Sequence, residues 1–183
     1  MHRQRHERWK KLVEQIAQEY RALPASEKTW IAEQLQQVET LQQQLNQLFE
    51  QGNGLTSCAD CLGDCCAKGH NHMTLANLLS YLQRNDLPPQ PDFSRTCPFL
   101  GERGCLLPVT RRPYNCISFV CDIIEHSLTS SQVEEFYRCE QQLRVVYRQF
   151  AERYSGGGMT GLLLQSERLG NGPFLQRKNL PQD

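Results

Sequence analysis

The sequence predicts a mainly α protein in which a helical hairpin and a C-terminal helix flank an irregular, cysteine-rich core. Three observations carry that expectation. Apolar residues recur at helical steps on either side of Pro24, the same period returns from Ser131 to Tyr154, and between the two stretches lie eight of the nine cysteines. A chain of 183 residues is long enough for one domain with a real core and too short for two full ones.

In order along the chain, Trp9, Leu12, Val13, Ile16 and Tyr20 mark a first helix that Pro24 interrupts. Ile31, Leu35, Val38, Leu41, Leu45 and Leu48 mark a second, from near Ser26 to a stop at Gly52. Eight glutamines between Gln34 and Gln51 predict a polar, nearly uncharged outer face for it. Residues 1–53 thus form a hairpin, packed on the core or offering this Gln-rich helix to a protein partner or to a homodimeric coiled coil. Residues 54–126 form the cysteine-cluster region. Gly54 to Gly69 reads as a loop; Thr74 caps a short helix through Leu75, Leu78, Leu79 and Leu82; and Leu87-Pro88-Pro89-Gln90-Pro91 is an extended linker. Turns dominate from Cys97 to Cys121. In 127–158 a helix starts at Ser131, with Glu134 completing a capping box, and carries Val133, Phe136, Leu143, Tyr147, Phe150 and Tyr154. Gly156-Gly157-Gly158 ends it as a flexible break without the lysine and hydroxyl of a phosphate loop, and 159–183 reads as a peripheral tail.

Twenty basic and twenty acidic residues leave no formal net charge, so neither nucleic acid nor an anionic membrane is an expected partner. The basic start runs straight into an amphipathic pattern, unlike a signal peptide, and no run reaches the roughly 18 to 20 apolar residues of a spanning helix. A cytoplasmic protein is expected. In that reducing compartment clustered thiols point to metal ligands or redox centres rather than to a disulfide framework.

The chemistry therefore lies in Cys58-x2-Cys61-x3-Cys65-Cys66 and Cys97-x7-Cys105-x10-Cys116-x4-Cys121. A CxxC pair lets two thiolates converge on one ion from a tight turn. Adjacent Cys65 and Cys66 point apart in either regular conformation, which favours two centres, or one ligand and one supporting role, over a shared ion. Eight thiolates so close together repel unless cations hold them, so the core is expected to be metal-organised. Two four-thiolate zinc sites would each keep a net charge of minus two. Gly63, Gly101 and Gly104 could bring backbone N–H groups to the sulfurs, and Lys68, Arg95, Arg103, Arg111 and Arg112 could supply positive charge.

The ordered set Cys58-x2-Cys61-x3-Cys65-Cys66, Cys97-Pro98-Phe99-Leu100, Gly104-Cys105, Arg112-Pro113, Cys116 and Phe119-x-Cys121 resembles the YkgJ-like cysteine-cluster family, described as zinc- or iron-chelating. The resemblance covers about a third of the chain and implies metal binding through those eight cysteines. Similar segments occur in flagellin lysine N-methylases, which implies that such a module can serve a protein-modifying enzyme. Where such proteins commonly show an aromatic residue and an acid before Arg-Pro, this chain has Leu107-Pro108-Val109-Thr110-Arg111.

Irregular spacing and the Cys97-Pro98 dipeptide favour an iron–sulfur cluster, with zinc as the competing occupant. His70 and His72 read as exposed loop residues, and nothing positions His126 as a base. Asp60, Asp64 and Asp122 suit turns and surface, while Cys139 falls on the apolar stripe of the last helix and is expected to be buried and inert. The sequence thus describes a metal-binding protein without a recognisable catalytic motif. Its alternatives are a redox-active enzyme, an accessory subunit of a methylase-like enzyme, and a structural zinc module for protein–protein contact.

Overall fold

A computed structural model describes residues 2–60, 64, 73–102 and 104–178. It is mainly α, as the periodicities predict. Helices α1 (His2–Ala22) and α2 (Ala25–Gln51) form the hairpin, with Pro24 as the cap of the second. Then come α3 (Gly54–Asp60), α4 (Leu75–Leu82), a two-stranded antiparallel ribbon of β1 (Leu100–Gly101) and β2 (Gly104–Cys105), and a 3-10 turn at Val109–Arg111. The short helices α5 (Tyr114–Ile117) and α6 (Asp122–Glu125) lead into α7 (Ser130–Arg153) and finally α8 (Leu162–Arg168). Among the described residues no helix is long and apolar enough to cross a membrane.

The core lies where α1, α2, α4 and α7 meet. Ile16, Ile31, Leu45, Leu75, Leu78, Leu143 and Phe150 are wholly buried there. The apolar row of α2 is covered within the chain, mainly by α7, so Ile31, Leu35, Val38, Leu45 and Leu48 all face inward. Two of the eight glutamines depart from the expected outer face. Gln34 and Gln42 are buried, and Gln42 donates to the Arg112 carbonyl at 2.7 Å, a hydrogen bond that makes burial of its amide tolerable.

Several local expectations need correction. The first part of the expected loop, Gly54–Asp60, is helical. The last long helix begins at Ser130, because Thr129 is its cap: Gln132 N–H donates to Thr129 Oγ1, and the Gln132 carboxamide oxygen accepts from the Thr129 amide at 2.8 Å.

The C-terminal segment is not peripheral. Leu162, Leu163, Phe174 and Leu175 belong to the core, Gly156 N–H donates to the Phe174 carbonyl at 2.8 Å, and Leu162 N–H donates to the Met73 carbonyl at 2.9 Å. The glycine triplet is a close approach rather than a loose break. A Cβ on Gly157 would overlap the Phe150 carbonyl oxygen and one on Gly156 would overlap the Phe174 ring. Glu27, buried at the start of α2, completes this junction. It accepts two hydrogen bonds from Arg153 at 2.6 and 2.9 Å and one from Tyr154, with Arg177 at 3.4 Å. Those donors hold its carboxyl below the ordinary glutamate value against the opposing effect of burial.

Candidate metal centre

The cysteine region is attached to the helical scaffold by aromatic anchors on both sides of Cys97. Phe93 and Phe99 are buried, and Trp9 of α1 meets both edge-on, with ring centroids 6.4 and 5.9 Å away. Just before the first anchor, Asp92 N–H donates to the Pro98 carbonyl at 2.8 Å, and the Asp92 carboxylate accepts from the Ser94 amide at 3.0 Å. The chain then folds back. Leu100 pairs with Cys105 across the ribbon, Leu106 N–H donates to the Phe99 carbonyl at 2.8 Å, and Gly104 adopts a φ of 112°, open to glycine and strained for other residues.

This hairpin returns Cys105 to Cys97. Cys97 is buried and Cys105 exposed. Burial pushes the Cys97 thiol above its ordinary range, and the Cys105 thiol adds to that rise. The backbone N–H groups of Phe99 and Leu100, facing the Cys97 sulfur, oppose it. A buried sulfur faced by two N–H dipoles and coupled to a second thiol is set up to carry negative charge once a cation arrives.

A second group of cysteines lies further along. Cys116 sits in α5, whose N-terminus is held by a polar hub around the Arg112 carbonyl: Gln42 donates to it at 2.7 Å and Asn77 at 2.9 Å. Asn77 also donates to the Tyr147 hydroxyl at 3.1 Å and accepts from the Thr74 amide at 3.1 Å, so one carboxamide ties the start of α4 to α5 and α7. The capping residue Thr74 expected from sequence is thus in place. Neither Asn77 nor Gln42 was legible as part of the site. A carboxamide gives no sequence signal when its partner is a carbonyl far along the chain. Cys116 raises the pKa of the fully buried Tyr147 hydroxyl, although burial is the larger cause. Cys121 caps α6, and α6 packs against α3, which carries Cys58.

Cys97 and Cys105 are therefore placed around the ribbon, Cys58 and Cys121 on the packed pair α3 and α6, and Cys116 on α5 against α2 and α7. Among the described residues no three histidine, cysteine or acidic side chains converge to hold a metal ion. Cys61, Cys65 and Cys66 lie outside the described residues, as do Gly63, Lys68, His70, His72 and Arg103.

Of the arginines expected near the sulfurs, the three described ones bond carbonyls and carboxylates. Arg95 donates to the Leu100 carbonyl at 2.9 Å and pairs with Asp92. Arg111 pairs with Asp86 at 2.8 Å, and Arg112 donates to the Leu107 carbonyl at 3.3 Å. Cys139 is wholly buried in α7, its thiol pushed up first by burial and then by Glu135, as its helical phase predicts. His126 is exposed at the end of α6. No family model, no curated protein and no solved structure matches the chain.

Proposed function

We propose that the chain is a metal-binding cysteine-cluster protein of the YkgJ-like type, with Cys58, Cys61, Cys65, Cys66, Cys97, Cys105, Cys116 and Cys121 as ligands to an iron–sulfur cluster or to zinc. The observation that carries this reading is the hairpin that returns Cys105 to a buried Cys97 while two backbone N–H groups face the Cys97 sulfur. A neutral thiol in that position accepts from those dipoles only weakly. A thiolate bound to a cation accepts strongly, and each dipole then offsets part of the charge that the metal leaves uncompensated. The ordered cysteine motifs support the same reading. The bound group would supply electron transfer if it is a cluster, or a fixed cross-link if it is zinc. The chain's own residues supply the ligand geometry and the N–H donors.

Anaerobic purification with metal and sulfide analysis and a visible spectrum tests this. Iron with sulfide and a broad visible band is the expected result, and colourless protein holding zinc would remove the iron–sulfur assignment. Protein without bound metal, in wild type reconstituted with either, would sink the reading altogether. Cys97→Ser and Cys105→Ser should each lower the metal content.

A further inference from the structure

The apolar row of α2 is covered inside the chain, yet the outer side of the pair formed by α2 and α7 carries a second pattern. Between these two helices runs an open groove of about 470 Å³, walled by Gln37, Thr40 and Leu41 from α2 and by Gln142, Val145 and Gln149 from α7. None of the described residues lining it is charged. Val145 is 54 % exposed there. Along α7 this face is a regular stripe: Arg138, Gln142, Val145, Gln149 and Glu152 follow one another at steps of four, three, four and three, the spacing that keeps residues on one side of a helix. The stripe is opposite in charge at its two ends. Val145 is its centre, a glutamine lies on either side, and the exposed Arg138 and Glu152 stand seven residues before and seven after.

We propose that this face is a contact with a second copy of the chain, the two α7 helices lying antiparallel about a two-fold axis at Val145. A two-fold contact brings a surface against itself, so the face must be its own complement. This one is. The axis sets Val145 against Val145, glutamines, which both donate and accept, against glutamines, and Arg138 of each copy beside Glu152 of the other. A parallel pair would instead set Arg138 against Arg138 and Glu152 against Glu152. Gln149 supports the same occupant: its carboxamide oxygen is buried without a hydrogen-bond partner among the described residues, and a glutamine amide of the second copy supplies the donor. The stripe is about 21 Å long and two helices side by side are about 20 Å wide, which gives on the order of 400 Å² per copy. That is small for a specific interface, so the dimer is reversible and of micromolar rather than nanomolar affinity. The contact uses none of the clustered cysteines and stands apart from the metal-centre reading.

Sedimentation velocity of the full chain, kept reduced and followed from low to high micromolar concentration, tests this, with circular dichroism and thermal unfolding as checks on folding. Wild type should pass from monomer to dimer as concentration rises. Arg138→Glu sets carboxylate beside carboxylate and Glu152→Arg sets guanidinium beside guanidinium, so each should weaken the dimer about 10-fold or more. The double variant, with both charges exchanged, should regain wild-type association. The two positions lie about 21 Å apart on one helix, too far for that rescue to arise within a single chain. Arg138 pairs with Glu135 in its own helix, but that pair is exposed, and both single variants should fold as wild type does.

A wild type that stays monomeric throughout would overturn the proposal. A dimer indifferent to both single substitutions would place the contact elsewhere and overturn it too, and so would single variants that weaken the dimer without rescue in the double. Mixing the two single variants reads the same arrangement a second way. They should form a heterodimer tighter than either forms with itself, and a mixture no tighter than its components would rule out the antiparallel contact.

Discussion

The helical scaffold and the cysteine region of this chain are ordered by different means. In α1, α2 and α7 a recurring row of apolar side chains is buried, and Ile16, Ile31, Leu45, Leu143 and Phe150 have no solvent contact. The described elements between Gly54 and Glu125 are two to eight residues long, and several large apolar side chains there face outward: Leu55 is 65 % exposed, Phe119 56 % and Ile123 67 %. The buried apolar groups of this region, among them Leu75 and Leu78 of α4 and Phe93, Phe99, Tyr114 and Ile117, join the same core as α1, α2 and α7 rather than forming one of their own. Burial suffices to order the scaffold. Under the metal-centre proposal above, metal ligation adds a further source of order to the cysteine segments.

That contrast can be broken most directly with a chelator. Removing the proposed metal should speed amide exchange throughout 93–125 while α1, α2 and α7 stay protected, and equal protection before and after would end the distinction. The next largest effect belongs to the scaffold. Phe150→Ala, at a wholly buried site against Trp30, should destabilise the protein by about 3–5 kcal/mol in denaturant unfolding, a cost shared by the metal-free form.

Glu27→Gln comes third. It strands Arg153, whose side chain is a quarter exposed, so the loss should be about 2–3 kcal/mol rather than that of a fully buried pair. Its sign with pH follows from the lowered carboxyl. The stabilisation is complete above the ordinary glutamate value of 4.5 and is lost as pH falls below it towards the folded value. Wild type should therefore lose stability over that acid window and Glu27→Gln should lose less, as thermal melts across the range would show. The smallest effect sharpens the comparison from the cysteine side. Cys139→Ser should cost about 1 kcal/mol and leave metal content unchanged, because its neighbours are Glu135 and Gln44 in the helical layer.

What was legible in the sequence tracks the range of each interaction. Thr74 as a cap and Cys139 as a core residue were read correctly, since both follow from neighbours within one or two turns. The helix Gly54–Asp60 was missed because its one large apolar residue, Leu55, is exposed and leaves no period to detect. Gln42 was placed on the outside because its partner, the Arg112 carbonyl, is far along the chain. The C-terminal segment was discounted for a similar reason: Leu162, Leu163, Phe174 and Leu175 are too few and too scattered for a pattern, and the glycines before them resemble a break. In the candidate site the cysteines announced themselves by density. The hairpin that brings Cys105 back to Cys97 gave no such sign, since two-residue strands are too short for alternation to show.

The hydrogen bond from Leu162 to Met73 has a consequence for the order of events during synthesis. Met73 directly precedes the capped start of α4, the helix that carries Asn77 and Tyr81. Its carbonyl accepts from a residue translated well after Cys121. On a ribosome all eight clustered thiols therefore emerge before the segment that clasps α4 in place exists. Until that clasp closes, the nascent chain carries these thiols on an unfinished frame, and a long-range contact of this kind is among the slower ones to form. Loading before release would leave those sulfurs to whichever ion or oxidant arrives first; loading after it would let the completed frame select.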